Sequence, residues 1–396
     1  MSVRFPEGFL WGTATSAHQV EGANYNSDWW EWEHDPTSPC TEPSGDACDH
    51  YHRYPDDLAI LQDLGFNCYR FSIEWGRIEP EEGEFSRAQL DHYRRVVAAC
   101  RENGLLPIVT LHHFTSPRWV ARAGGWAHPD APDRFARYCQ RAGAHLGDLI
   151  GVACTINEPN IVALMGYLTG IFPPGERDAE ARERVTENFI AAHRMAVETL
   201  REHTDAPVGL TLAMSEYHAV DGADENMHRL REPMEDVFLD AVRDDDFIGV
   251  QTYSRTRVGP QGVLPPENPG STQMFYDFYP HALEHTVRRA WDMTEGTPII
   301  VTENGIATDD DDLRIAFVAE ALRGLHRCIS DGIDARGYVY WSLLDNFEWA
   351  LGYTPTFGLV AVDRSTQERA PKPSAGRLGE IARANALEGP PARSRT

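Results

Sequence analysis

Eight short runs rich in β-branched and aromatic residues recur along this chain, each separated from the next by room for a helix, and nothing else in the sequence restricts the fold as strongly. They occupy segments 10–14, 68–73, 107–111, 152–156, 208–212, 247–250, 298–302 and 337–342. Continuous apolar runs of this length suit strands buried on both faces, as in parallel sheets. Helical periodicity fills the gaps: Leu90, Tyr93, Val97 and Cys100 form one apolar stripe, and Leu313, Phe317, Ala321 and Leu325 another. Acidic residues Asp309 to Asp312 stand where the second of these helices should start, favourable to its dipole. Strands alternating with helices, joined by right-handed crossovers, predict an α/β fold with a single closed (β/α)8 barrel of the TIM type. Successive strands start roughly 40 to 60 residues apart, more than a lone helix needs, so the βα loops are extended.

The 396 residues are 42% hydrophobic, enough for a large core. A formal net charge of −25 repels phosphate backbones and anionic headgroups, so neither nucleic acid nor a membrane surface is an expected partner. No run approaches the ~18 apolar residues that span a bilayer, and segment 1–17 is broken by Arg4, Pro6, Glu7 and Gly8. The seven cysteines are scattered and contain no CxxC pair, which reads as reduced thiols of a cytoplasmic protein. Lys372 is the only lysine and is flanked by prolines, which argues against Schiff-base chemistry. One domain is expected over 1–387, with a frayed tail at 388–396. The glycines and prolines between Gly259 and Gly270 read as one surface loop. Oligomeric state is not legible.

In a barrel of this kind, reactive groups gather at the C-terminal strand ends. Two strands end in a glutamate beside an asparagine: Thr155-Ile156-Asn157-Glu158-Pro159 after the fourth, and Thr302-Glu303-Asn304-Gly305 after the seventh. A pair of facing carboxyl groups suits glycoside hydrolysis, one donating a proton to the leaving oxygen and the other attacking or activating water. His112-His113 does not suggest a metal, because neighbours on a strand point to opposite faces.

With these segments the chain resembles the family 1 glycoside hydrolases, the β-glucosidase and β-galactosidase family. The likeness runs from Phe9-Leu10-Trp11-Gly12-Thr13-Ala14 to Pro371-Lys372-Pro373-Ser374. It includes Tyr69-Arg70-Phe71-Ser72-Ile73-Glu74-Trp75 and Leu343-Leu344-Asp345-Asn346-Phe347-Glu348-Trp349. The resemblance implies a retaining, exo-acting β-glycosidase for small neutral glycosides, with no cofactor and no metal. It makes Glu303 the nucleophile and Glu158 the acid/base, with Arg70 and Tyr253 bonded to the nucleophile. Gln19, His113, Asn157, Glu348 and Trp349 match hydroxyl-binding positions, Asn157 for the 2-hydroxyl, and Trp341 matches the stacking platform. An intact Glu348-Trp349 pair implies that 6-phosphorylated sugars are repelled. Transglycosylation through the same intermediate, and a barrel that binds carbohydrate without cleaving it, are the alternatives.

Four departures from the family pattern stand out. Gln251-Thr252-Tyr253 replaces Asn-Tyr-Tyr, which re-aims the amide of residue 251 towards the acid/base. Phe114 stands where tryptophan is usual, losing an indole donor and leaving the glucose, galactose or fucose preference open. Thr356 stands where arginine is common. The chain is also short for the family, which implies trimmed loops, an open mouth and broad aglycone tolerance.

Overall fold

The computed structural model describes residues 3–388. Of the expected tail, only Glu388 falls within the described residues. The eight expected runs all become strands: β1 (Leu10–Ala14), β2 (Cys68–Ser72), β3 (Leu106–His113), β4 (Val152–Asn157), β5 (Val208–Ala213), β6 (Phe247–Gln251), β7 (Ile299–Asn304) and β8 (Ala335–Trp341). They close into one parallel barrel in chain order, β6 pairing with β7 and β8 with β1. Every residue of β2, β4, β6 and β7 is buried, which is why these strands read as continuous apolar runs rather than as alternation.

The outer layer contains α1 (His50–Leu64), α2 (Arg87–Glu102), α3 (Ala131–Leu146), α4 (Ala179–Arg201), α5 (Asp224–Arg231), α6 (Ala282–Met293), α7 (Asp311–Ser330) and α8 (Pro373–Ala384), one after each strand. Leu90, Tyr93, Val97 and Cys100 are all buried along α2, as their spacing requires. On α7, Phe317, Ala321 and Leu325 are buried and Leu313 is half-buried. The acidic run before α7 has more than a dipole role. Asp310 is the N-cap and accepts from the backbone of Asp312 and Leu313. Asp311 accepts from Ser374 at the start of α8, fastening two neighbouring helices together.

One expectation needs correction. The segment after β6 opens not as a plain loop but as a hairpin, Arg255–Gly259 against Gly262–Val263, and Arg255–Gly259 also pairs in parallel with Glu216–Ala219. Its charged residues and the central Pro260 hide the strand period, and its ladder depends on a partner that follows β5. The lone lysine also has a structural task. Lys372 Nζ lies 2.8 Å from Asp345 Oδ2, tying the segment before α8 to the loop that carries Glu348 and Trp349. All seven cysteines are free, and burial pushes Cys48 and Cys100 up to about 12.

Gly305, the residue that ends the Glu-Asn-Gly motif, lies against the end of β8. A Cβ there would sit 2.1 Å from the Trp341 carbonyl oxygen, so only glycine allows the two strand ends to approach. Gly305→Ala is therefore expected to destabilise the barrel by about 1–3 kcal/mol through overpacking. The urea midpoint measures this, and an unchanged midpoint would contradict the close approach.

Candidate active site

The residues singled out from the sequence meet at the C-terminal end of the barrel, and Arg70 on β2 is at the centre of the arrangement. It is 1% exposed, and its guanidinium donates to Glu303 Oε1 at 2.6 Å and to Asn157 Oδ1 at 2.5 Å. The Tyr253 hydroxyl donates to Glu303 Oε2 at 2.5 Å, so each oxygen of that carboxylate has its own donor. Asn157 Oδ1 also accepts from Thr211 Oγ1 (3.1 Å) and from Gln251 Nε2 (2.9 Å).

This convergence settles a proton. Arginine can only donate, so the atom facing Arg70 is the Asn157 oxygen, and the amide nitrogen must point the other way. That nitrogen lies 3.2 Å from His113 Nε2, which accepts. Burial, then the charge of Arg70 and the neighbouring His112, hold His113 well below the usual histidine range, so it is a neutral acceptor. His112 faces the other way, against Trp126, Phe135 and Phe189, as alternation on a strand demands. Among the described residues no three His, Cys, Asp or Glu side chains group as metal ligands.

Aromatic rings continue the array. The His113 ring lies nearly parallel to Trp341 at 5.7 Å and to Trp349 at 6.2 Å. Trp341 Nε1 donates to Glu348 Oε1 at 3.3 Å. Gln19 is fully buried: its Nε2 donates to the Phe347 carbonyl at 2.7 Å and its Oε1 accepts from Ser16 at 2.6 Å, which orients its amide beside the Glu348 loop. Phe114 fills its position with carbon, its ring 5.0 Å from Trp349.

Glu158 follows Asn157 directly, caps the helix Pro159–Tyr167 and has a left-handed backbone, φ 44°. The proline after it disfavours the right-handed helical region, and proline itself suits the first helical position. Phe114 and Trp349 are also left-handed, at φ 69° and 55°. Three such non-glycine residues around one pocket is strain gathered at a functional place.

The two carboxyl groups have unlike surroundings. Burial raises Glu303 above the usual carboxylate range, and Arg70, Tyr253 and Gln251 pull it back down. Glu158 is raised well above that range by burial first and by the charge of Glu303 second, with Glu348 adding to the rise and Arg70 opposing it. Among the described residues no side chain donates a hydrogen bond to its carboxyl. Glu303 therefore ionises first and Glu158 holds its proton longer. Burial also raises Glu348 strongly, with Trp341 opposing.

The ten expected residues thus lie close together at the C-terminal end of the barrel. The two asparagines of the motifs differ: Asn157 faces the carboxylates, whereas Asn304 donates to the Thr252 carbonyl and accepts from Tyr338, pinning the end of β7. The Gln251 amide reaches Asn157 and Glu303 rather than Glu158, a correction to the expected reach. Thr211 and His18 were not legible as site residues. His18 lies parallel to Trp349 at 5.6 Å and is held by Glu33 at 3.1 Å, a support for the indole that carries no local sequence signal.

Tyr253→Phe removes a donor to ionised Glu303 and raises that carboxyl's pKa. Carbon NMR titration of labelled glutamate carboxyls should record an upward shift, and a downward shift would contradict it.

The glycosyl hydrolase family 1 model matches residues 1–265 and 266–387. The chain is 34% identical to β-glucosidase A of Acetivibrio thermocellus, covering 97% of this chain and 99% of that protein. It is 33% identical to a bifunctional β-D-glucosidase/β-D-fucosidase of Bifidobacterium breve, covering 94% and 97%. A solved β-glycosidase, BGL167, superposes with a TM-score of 0.91 at 50% identity, covering 98% of this chain and 99% of that one. The family 1 β-glucosidase of Thermotoga maritima superposes at 0.93 with 31% identity, covering 97% and 99%. The first alignment spans 446 positions against 396 residues here, so that relative contains segments this chain lacks.

Proposed function

We propose that this chain, which belongs to glycosyl hydrolase family 1, is a retaining, exo-acting β-glucosidase that cleaves terminal sugars from small neutral β-glycosides by double displacement. The observation that carries the mechanism is the unequal treatment of two buried carboxyl groups, one clamped by Arg70 and Tyr253 and the other left to hold its proton. Residues 1–387 form the catalytic domain. The seven free cysteines support a reducing compartment, the cytoplasm. Among the described residues no helix is long and apolar enough to cross a membrane.

In the first step a Glu303 oxygen attacks the anomeric carbon while the Glu158 proton passes to the leaving oxygen, and the glycosidic bond breaks. The resulting ester removes the charge of Glu303. One of the causes holding the Glu158 pKa up disappears with it, and Glu158, now a carboxylate, takes a proton from water as that water attacks the same carbon and the ester bond breaks, its electron pair returning to Glu303 as a carboxylate. Asn157 is placed to bond the 2-hydroxyl, its orientation fixed by Arg70, Thr211 and Gln251. His113, Gln19, Glu348 and Trp349 supply polar contacts around the ring, and Trp341 supplies the plate under it. Lys372 is engaged by Asp345, and Glu348 occupies the position where an anion pocket would need cations, which favours neutral sugars over 6-phosphates.

Activity needs Glu303 ionised and Glu158 protonated. The rate kcat/KM therefore rises with pH through the lower apparent pKa of the pair and falls through the upper one, and the raised upper value sustains activity at neutral pH.

Two variants separate the roles. Glu303→Gly should lose hydrolysis of an activated aryl β-glucoside and regain turnover with azide as the α-glycosyl azide. Glu158→Ala should slow poor leaving groups by about 10²–10⁴-fold, lose the alkaline limb and give the β-azide. Unimpaired activity in either variant would overturn the assignment.

A further inference from the structure

Among the described residues the large apolar side chains left exposed are Tyr25, Leu168, Val263, Phe275 and Tyr276. Each lies in a segment that follows a barrel strand, at the end of the barrel where the site opens, and the last three share the connection between β6 and α6. Phe275 is 64% and Tyr276 42% exposed.

The stretch that carries this pair is fastened to the site. Met274 packs on the apolar cluster that contains Trp341, Phe357 and Ala307, and the Phe357 ring stands 5.6 Å from that of Tyr253. The Gln273 backbone donates to the Ala307 carbonyl at 3.0 Å. Its side-chain oxygen accepts from the Thr356 backbone at 2.8 Å and from the Thr356 hydroxyl at 3.0 Å. Thr356, one of the departures from the family pattern, is thus an anchor for this stretch.

The polar side chains here are spent on the stretch itself. Ser271 Oγ donates to the Tyr276 carbonyl and accepts from the Phe278 backbone, at 2.9 and 3.1 Å. Thr272 Oγ1 accepts from the Tyr276 backbone at 2.9 Å and donates to its carbonyl at 3.2 Å. With Ser271, Thr272 and Gln273 engaged in this way, the exposed surface beside the site is chiefly that of Phe275 and Tyr276. Tyr276 is 42% exposed as a residue, and burial with the charges of Glu158 and Glu348 pushes its hydroxyl up to about 12, which sets that hydroxyl within the field of the site's carboxyl groups.

We infer that Tyr276, with Phe275 beside it, forms an apolar plate on the leaving-group side of the site and selects glycosides of flat aromatic aglycones over those whose leaving group is a second sugar. A second sugar needs hydrogen-bonding partners that this stretch has already committed, whereas an aromatic ring needs only a face. The inference deepens the β-glucosidase reading and rests on it. It also narrows the broad tolerance expected from the short chain.

The test compares kcat/KM for phenyl β-glucoside with that for cellobiose, in the unaltered protein and in Tyr276→Ala and Tyr276→Phe. Intrinsic leaving-group reactivity cancels in the ratio of ratios. Tyr276→Ala should lower the phenyl preference by between about threefold and tenfold, mainly through KM, and Tyr276→Phe should keep it because the ring is retained. No change in the ratio for Ala, or an equal loss for Phe, overturns the inference. Absence of activity on both substrates in the unaltered protein overturns instead the reading beneath it.

Discussion

A guanidinium buried at the end of β2 organises this molecule's site. Arg70 is almost wholly removed from water, and a charge so placed is tolerable only if its partners are in position. Those partners come from other strands: Glu303 on β7, Asn157 on β4 and, more distantly, Thr211 on β5 at 3.4 Å. Replacing such a cluster with packed hydrocarbon would cost a barrel little or even stabilise it, so fold stability alone does not account for it. The cluster instead gives each oxygen of the buried Glu303 carboxylate its own donor while orienting the amide next to the second carboxyl.

From that arrangement the division of labour follows. Burial alone would raise both glutamates alike, and it is the first cause of the rise in each. Arg70, Tyr253 and Gln251 act on Glu303, whereas Glu158 feels the charge of Glu303 itself. The charge of the first carboxylate thereby keeps a proton on the second, and on the proposed double displacement that cause is withdrawn when the first is consumed as an ester and a base is needed.

The barrel was legible because parallel strands buried on both faces are predominantly apolar, and all eight runs stand out against the helices. The paired glutamates were legible because each ends a strand beside an asparagine. Other parts were not. Trp341, 4% exposed on a barrel strand, looks like core by every local measure, and only the family likeness gave it a ligand-facing role. Gln251 was visible as an unusual residue, yet its destination depends on the register of β4, β5 and β6, which no local pattern encodes. The hairpin after β6 and the anchoring of Gln273 by Thr356 depend on contacts between distant loops, where hydrophobic period is silent.

Covalent capture tests the central claim most directly. A 2-deoxy-2-fluoro β-glucoside with a good leaving group weakens the 2-position contact and slows both steps, the second more in effect, so a glycosyl-enzyme accumulates. Peptide mass spectrometry should then find one fluorosugar per chain, on the peptide that contains Glu303. A label on Glu158, or turnover with inversion and no adduct, would contradict the account.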